Sequence, residues 1–314
     1  MNIQRKRSLL VYFGFVFLLI TGCCPFADKP TSCCSPKKYL PIVSHLLELC
    51  DLPAVETPEE LVEETKHLFL TREQRMAAHF DSLPIKDDHA FYNDLSLLRM
   101  TQVVPAYAAT YGSAVVFGGT LAAIRQRLDF LVREWHRGVR FQKIIFLSGR
   151  RERYAKVEDA DQFYDHRHNP FPVEESWNPA EHTLPSSEDE IARFVWTQMV
   201  VPSSWREPSG GVEVEFLVAE PAEGQKYGTR HDTLKVLRAY HGDGLERILF
   251  VSSQPFIHLD RCRVAKHFEK EKYDVAGPGF SQAVLKHDWA PRVCLHSLAA
   301  WVSETGGHLV ISQE

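Results

Sequence analysis

From Gly112 onward the chain repeats one pattern, a short β-favouring run that ends in small residues, followed by a longer stretch with apolar residues at helical spacing. Ser113-Ala-Val-Val-Phe117 ends in Gly118-Gly119-Thr120, and residues 121–135 then carry apolar side chains at three- and four-residue intervals among arginines. Lys143-Ile-Ile-Phe-Leu147 ends in Ser148-Gly149 and is followed by Arg150 and Arg151. Residues 212–219, 247–252 and 273–276 read as three more strands, and 308–312 as an edge strand. Helices are expected over 187–200, 229–240, 255–268 and 293–305. Strands alternating with helices are βα units, which assemble into a parallel sheet with helices on both faces. The expected fold is therefore α/β, a doubly wound, mainly parallel Rossmann-like sheet. A helical layer precedes it.

In such sheets ligands collect outside the carboxyl ends of the strands. This chain places Gly118, Gly119 and Thr120, then Ser148, Gly149 and Arg150, then Glu220, and then Ser252, Ser253 and Gln254 at those ends. Glycines let a ligand approach the backbone, and the following helix N-terminus offers unpaired N–H groups. Arg150, Arg151 and Arg261 suit a phosphate or carboxylate, whereas Glu188 and Glu220 suit ribose hydroxyls, an amine, or the work of a general base. Each residue also has a structural alternative. The glycines lack the GxGxxG spacing and serve equally as a tight turn. The arginines suit a solvated surface, and Arg261 a salt bridge with Asp260 or Glu269. Glu220 suits a helix cap, and Thr229 reads equally as the N-cap of the helix behind it.

The N-terminus reads as an address. Arg5, Lys6 and Arg7 precede an apolar run over residues 9–20, shorter than the about 20 residues that a bilayer span needs. The run ends in Ile20-Thr21-Gly22-Cys23, which resembles the bacterial lipobox. That resemblance implies a signal peptide over 1–22 and a lipid on Cys23, which tethers the chain to a membrane of the cell envelope. The absence of Asp after Cys23 implies the outer membrane under the usual sorting logic of diderm bacteria. Residues 23–40 read as a tether, 41–110 as the helical layer, and 111–314 as the α/β domain with an insertion over 152–186. Within the layer, Ile42, Leu46, Leu47 and Leu49 mark one helix, and Thr57-Pro58-Glu59-Glu60 caps a second over 61–70. Thr71 opens a third, and residues 91–100 close the block.

There are 36 Lys and Arg against 41 Asp and Glu, a formal net charge of −5, the wrong sign for a general nucleic-acid binder. No GxSxG, HExxH or GxxxxGK[ST] motif occurs, so lipase-like, zincin and P-loop chemistries have no anchor. Asp161, Asp165, His166 and His168 read as a solvated loop, and no metal site is expected. Ser148 makes a hydrolase dyad only if the fold brings His231 or His258 to it. Of the seven cysteines, Cys24, Cys33, Cys34 and Cys50 are expected to form disulfides in the arm, and Cys262 and Cys294 to be buried thiols.

Taken in order, FGGT, an arginine-bearing helix, IIFLSGRR, SSEDEIA, AEPAEGQKYGTRHDTL and ILFVSSQPFIHLDRCRVAKHF resemble the YdcF/SanA/ElyC-like superfamily over about residues 112–285. The resemblance implies one doubly wound domain with a role in envelope or peptidoglycan maintenance, and S-adenosylmethionine as a candidate cofactor. It carries Gly118, Gly119, Ser148 and Gly149 as turns, and Glu188 as the acidic opening of a helix. It also carries Glu220, Thr229 and Asp232 as the acidic-to-threonine segment, and Arg261 as the basic residue after the fourth strand. The chain departs from the pattern at Arg230-His231-Asp232 and between Ser253 and Arg261, which leaves the ligand open. Two functions follow as expectations: a tethered protein that binds a small anionic or nucleotide-like ligand at the strand ends, or a non-catalytic envelope scaffold.

Overall fold

β1 (Thr110–Phe117), β2 (Arg140–Ser148), β3 (Glu213–Val218), β4 (Ile248–Val251) and β5 (Tyr273–Ala276) form one sheet in the order β3-β2-β1-β4-β5. Every pairing is parallel. The computed structural model describes residues 39–70, 84–165, 168–207, 211–242, 246–280, 282–309 and 311. The signal peptide expected over 1–22, Cys23, Cys24, Cys33, Cys34, the helix expected from Thr71, and His166 lie outside the described residues. Phe117 pairs in register with Leu147, and Val116 with Val251, so the carboxyl ends of the three central strands lie level.

Among the described residues, three helices precede the sheet: α1 (Leu40–Glu48), α2 (Pro58–Thr65) and α3 (Asp88–Leu97). Between strands come α4 (Leu121–Arg137), α5 (Ala160–Tyr164), α6 (Glu188–Gln198), α7 (Arg230–His241) and α8 (Ile257–Ala265), and after β5 come α9 (Gln282–Leu285) and α10 (Ala290–Thr305). The period-2 alternation of a strand divides the sheet cleanly. Ala114 and Val116 of β1 and Ile144 and Phe146 of β2 face a core closed by Leu128 and Leu131 of α4 and Ile191 and Val195 of α6. Val115, Phe117, Ile145 and Leu147 face the other core, with Leu234 and Leu237 of α7 and Val264 of α8. Helices thus change faces where the strand order reverses, between β1 and β4, which is the topological switch point of a doubly wound sheet.

The caps explain where the helices begin. Thr57 and Glu60 make a reciprocal capping box on α2, and Thr229 and Asp232 make another on α7. Thr120 caps α4, which stops at Gly138 in the left-handed region, φ 110°. The second predicted helix of the layer is shorter than expected, ending at Thr65 and continuing as a 3-10 turn over Lys66–Leu68.

The three helices of the layer do not rest on the sheet. Val43, Leu46, Leu61, Phe91 and Leu95 share a third core with Leu295, Leu298 and Trp301 of α10 and with Leu259 of α8. Polar contacts fasten it. Gln254 Nε2 donates to the carbonyls of Arg99 and Gln102 at 2.9 and 2.8 Å, and the Leu70 amide donates to His296 Nδ1 at 3.0 Å.

The strand expected over 308–312 is not formed at residues 308, 309 and 311. Gly306 and Gly307 both take positive φ and turn the chain back along α2, so Leu309 and Ile311 are buried in the third core rather than paired to β5. The insertion over 152–186 contains α5 and is strapped to both ends of α6 by the bridges Glu152–Ser187 and Val173–Met199. Its aromatics pack: Phe163 is fully buried, and Trp177 meets Phe194 edge-on with ring centroids 5.7 Å apart. Cys50 is not in a disulfide; it is a buried free thiol whose pKa burial pushes up to about 12. Cys294 is likewise buried and free, whereas Cys262 is free and half-buried.

Candidate functional site

The turns after β1 and β2, the start of α6 and the start of α7 meet at the carboxyl edge of the sheet around a cleft of about 270 Å³. Gly118, Gly119, Thr120, Gly149, Glu188 and Thr229 all line it. Two of the glycines leave no room for a side chain unless a neighbour moves. A Cβ on Gly118 would lie 2.6 Å from Glu188 Oε1, and one on Gly149 would lie 2.2 Å from the carbonyl oxygen of Gly228.

Glu188 is held by both of its neighbours. Its amide donates to the Arg151 carbonyl at 2.8 Å, and its Oε2 accepts from the Gly149 amide at 2.9 Å. Oε1 lies against Gly118 and takes no hydrogen bond among the described residues. A nearly buried carboxylate with one oxygen uncommitted at a cleft wall is an acceptor for a hydroxyl or ammonium group, and is placed to act as a base.

Behind the glycines stands Arg127 of α4. Its Nη1 donates to the carbonyls of Phe117 and Gly118 at 2.7 and 2.6 Å, and its Nη2 to Ser253 Oγ at 3.0 Å. Among the described residues no carboxylate bonds it directly, and its Nε is buried without a partner. Burial pushes its pKa down to about 10, with neighbouring Arg230 adding to the effect. Arg230 and Arg263 also line the cleft. They share Asp260, whose Oδ1 is 3.2 Å from Arg230 Nε and 4.0 Å from Arg263 Nη1, and whose Oδ2 accepts from Ser252 Oγ at 2.6 Å. Burial opposes ionisation of Asp260, but Arg230, Arg263, the Ser252 hydroxyl and Arg127 outweigh it and hold the pKa below the usual carboxylate value. Arg230 also lies 3.9 Å over the Phe117 ring, which fixes it against the end of β1.

The N-terminus of α4, where such folds commonly seat a phosphate, is already filled. Glu158 of the insertion is buried there, and its Oε1 accepts from the Leu121 amide at 2.8 Å. Its Oε2 accepts from the Tyr154 amide at 2.7 Å and pairs with Arg151 Nη1 at 3.1 Å. Arg151 in turn donates to the Gly119 carbonyl at 2.8 Å. This loop carboxylate stands where an anionic ligand would otherwise meet the helix.

Several expected residues are placed elsewhere. Arg150 and Glu220 pair with each other at 2.7 Å, both well exposed, outside the cleft lining. Arg261 donates to the Val275 carbonyl at 3.1 Å, and it is Arg263, two residues on, that reaches the cleft. Asp232 is spent on Thr229, accepting from its amide at 2.9 Å and its hydroxyl at 2.6 Å. Ser253 stands behind the wall as an acceptor for Arg127, and Ser148 is buried at the end of β2. The dyad is not formed: His231 Nδ1 lies 3.0 Å from His267 Nε2, and His258 is stacked on Trp301 with centroids 4.6 Å apart. Sequence reasoning missed Arg127, Glu158, Arg230, Asp260 and Arg263 as parts of the site. Among the described residues no group of three or more His, Cys, Asp or Glu side chains is placed to hold a metal ion.

Neither protein-family models nor curated proteins nor solved structures offer a match to this chain, so the reading of the cleft rests on its own residues.

Proposed function

We propose that the chain is a membrane-tethered envelope protein, lipidated at Cys23, that binds a small anionic or nucleotide-like ligand at the carboxyl ends of its parallel strands. The observation that carries the ligand-binding part is the convergence of Gly118, Gly119, Thr120, Gly149, Glu188 and Thr229, drawn from four separate segments of the chain, on one cleft at the carboxyl ends of β1 and β2. Uncommitted donors and an uncommitted carboxylate oxygen on facing walls suit a polar ligand better than an apolar one. The tether rests on the lipobox resemblance. No helix among the described residues is long and apolar enough to cross a membrane, so attachment to a bilayer falls to the lipid or to residues outside that set. S-adenosylmethionine enters as a candidate through the resemblance to the YdcF/SanA/ElyC-like group.

The test is thermal stabilisation of the full chain in detergent across nucleotides, S-adenosylmethionine, sugar phosphates and polyprenyl phosphates. A ligand at about 100 times its Kd adds roughly 2.7 kcal/mol. A shift lost in Glu188→Gln supports the reading; silence from a well-folded protein across the whole panel overturns it in favour of a scaffold. Metabolic labelling with a palmitate analogue tests the anchor, which Cys23→Ser abolishes if the lipobox reading holds.

A further inference from the structure

Three guanidiniums, Arg127, Arg230 and Arg263, stand at the cleft or directly behind it, and the carboxylates facing them are Asp260, Glu188 and Glu304. Arg151 is paired with Glu158. The two signs are not mixed evenly. Glu188 sits on the wall made by the turns after β1 and β2, with its free oxygen against Gly118. Arg230 and Arg263 sit on the wall made by α7 and α8. Each engages Asp260 through one nitrogen, and no other terminal-nitrogen hydrogen bond to either arginine occurs among the described residues. Arg263 Nε also reaches Glu304 at 3.4 Å, which steadies the side chain from α10.

Resting on the reading that this cleft is a ligand site, we infer that it holds its ligand in one polarity. The anionic group lies on Arg230 and Arg263, the hydroxyl-bearing body lies on Glu188, and Glu158 closes the glycine-turn helix to phosphate. The ligand class that fits is a small hydroxylated anion with a single anionic group, of the size and chemistry of a pentose phosphate. The reasons are physical. An anion at α4 would have to displace a buried carboxylate that already holds the Leu121 and Tyr154 amides and Arg151, and would leave that charge without partners. An anion at the α7–α8 wall meets guanidinium nitrogens of Arg230 and Arg263 that make no hydrogen bond among the described residues, and charge-assisted bonds to them are strong. The volume of about 270 Å³ lies just below the usual span of small-molecule sites, roughly 300–1,000 Å³, and favours a pentose over a dinucleotide.

The experiment is isothermal titration of the full chain in detergent with ribose 5-phosphate, ribose, gluconate and inorganic phosphate. Hydrogen exchange of the loaded protein locates the contact. Ribose 5-phosphate should bind and slow exchange at residues 227–233, ribose should bind far more weakly, and gluconate separates carboxylate from phosphate as the preferred anion. Arg263→Gln should weaken ribose 5-phosphate about tenfold or more, with partial rescue by Arg263→Lys. Glu188→Gln should weaken ribose 5-phosphate while leaving inorganic phosphate within about twofold. If ribose 5-phosphate binds, protects residues 118–123 instead, and ignores Arg263→Gln, the polarity is overturned while the cleft remains a ligand site. If it protects neither segment, both the polarity and the cleft fall. If neither ribose 5-phosphate nor gluconate binds a folded chain, the hydroxylated-anion class is overturned, and the cleft reading is decided by the wider ligand panel.

Discussion

Gly149 and Gly228 meet backbone to backbone: the Gly228 amide donates to the Gly149 carbonyl at 2.7 Å, and a Cβ on Gly149 would lie 2.2 Å from the Gly228 carbonyl oxygen. This contact ties the turn after β2 to the entry of α7 and forms the floor of the cleft. Gly149→Ala must separate two backbones and is expected to cost about 1–3 kcal/mol. Gly119→Ala, whose Cβ would meet an arginine nitrogen at 3.0 Å and a methyl at 3.4 Å, should cost less. Urea unfolding of the two variants checks the order, and a larger loss for Gly119→Ala would contradict the geometry.

Glu188→Gln keeps an oxygen to accept from the Gly149 amide, which the wild-type carboxylate accepts at 2.9 Å. The fold should therefore hold to within about 1 kcal/mol, whereas Glu188→Ala leaves that amide unmet and loses about 1–3 kcal/mol. Melting curves of the pair separate a holding role from a charge role, since only the latter makes the two variants alike.

Glu158→Ala removes one buried carboxylate from the Leu121 amide, the Tyr154 amide and Arg151 together. Breaking such a pair from one side is expected to cost about 3–5 kcal/mol. Glu158→Gln should recover part of it. A loss below about 1 kcal/mol for the alanine variant would show that the insertion does not depend on this contact.

His258 gives the molecule a defined acid sensitivity. Burial, with Arg261 adding to it, pushes its pKa down from the usual imidazole value of about 6.5 to about 3. Between those values the unfolded chain binds a proton that the folded chain refuses, so stability falls as the pH drops, by about 1.4 kcal/mol per pH unit, and is level above them. His258→Gln retains a donor for the Arg99 carbonyl, which His258 Nε2 meets at 3.2 Å, and should flatten that slope. Unfolding free energies at pH 4, 5 and 6 for wild type and variant measure it, and parallel slopes would refute the assignment.

The sheet was legible because the central strands β1, β2 and β4 are buried on both faces, which writes a continuous apolar run, and because small residues punctuate their ends. The glycine turns were legible for the same reason, since the strand ends fix their positions, whereas Glu188 was legible as the acidic opening of a helix. The arginines were not. Arg125 and Arg127 lie on an amphipathic helix whose arginines read as a solvated face, yet both are buried and bonded to carbonyls, a hydroxyl and Gln198. Arg261 and Arg263 differ by about 200° around α8, so only the phase of the helix decides which one faces the cleft, and no motif carries that phase. Glu158 belongs to an insertion whose path no periodicity predicts. The edge strand expected near the C-terminus failed because an apolar run there is satisfied by burial as well as by pairing.

The third core has a consequence for the order in which the chain can be completed. The bond from the Leu70 amide to His296 spans 226 positions, and the layer's apolar side chains are covered by α10. During synthesis the first helices emerge long before the helix that shields them, so their greasy faces wait, uncovered, while the whole sheet is being made. Contacts of such long sequence separation form late and slowly. A ribosome paused anywhere short of α10 holds a chain whose beginning is still unfinished, and a premature stop in that last helix strips the first part made as surely as the last.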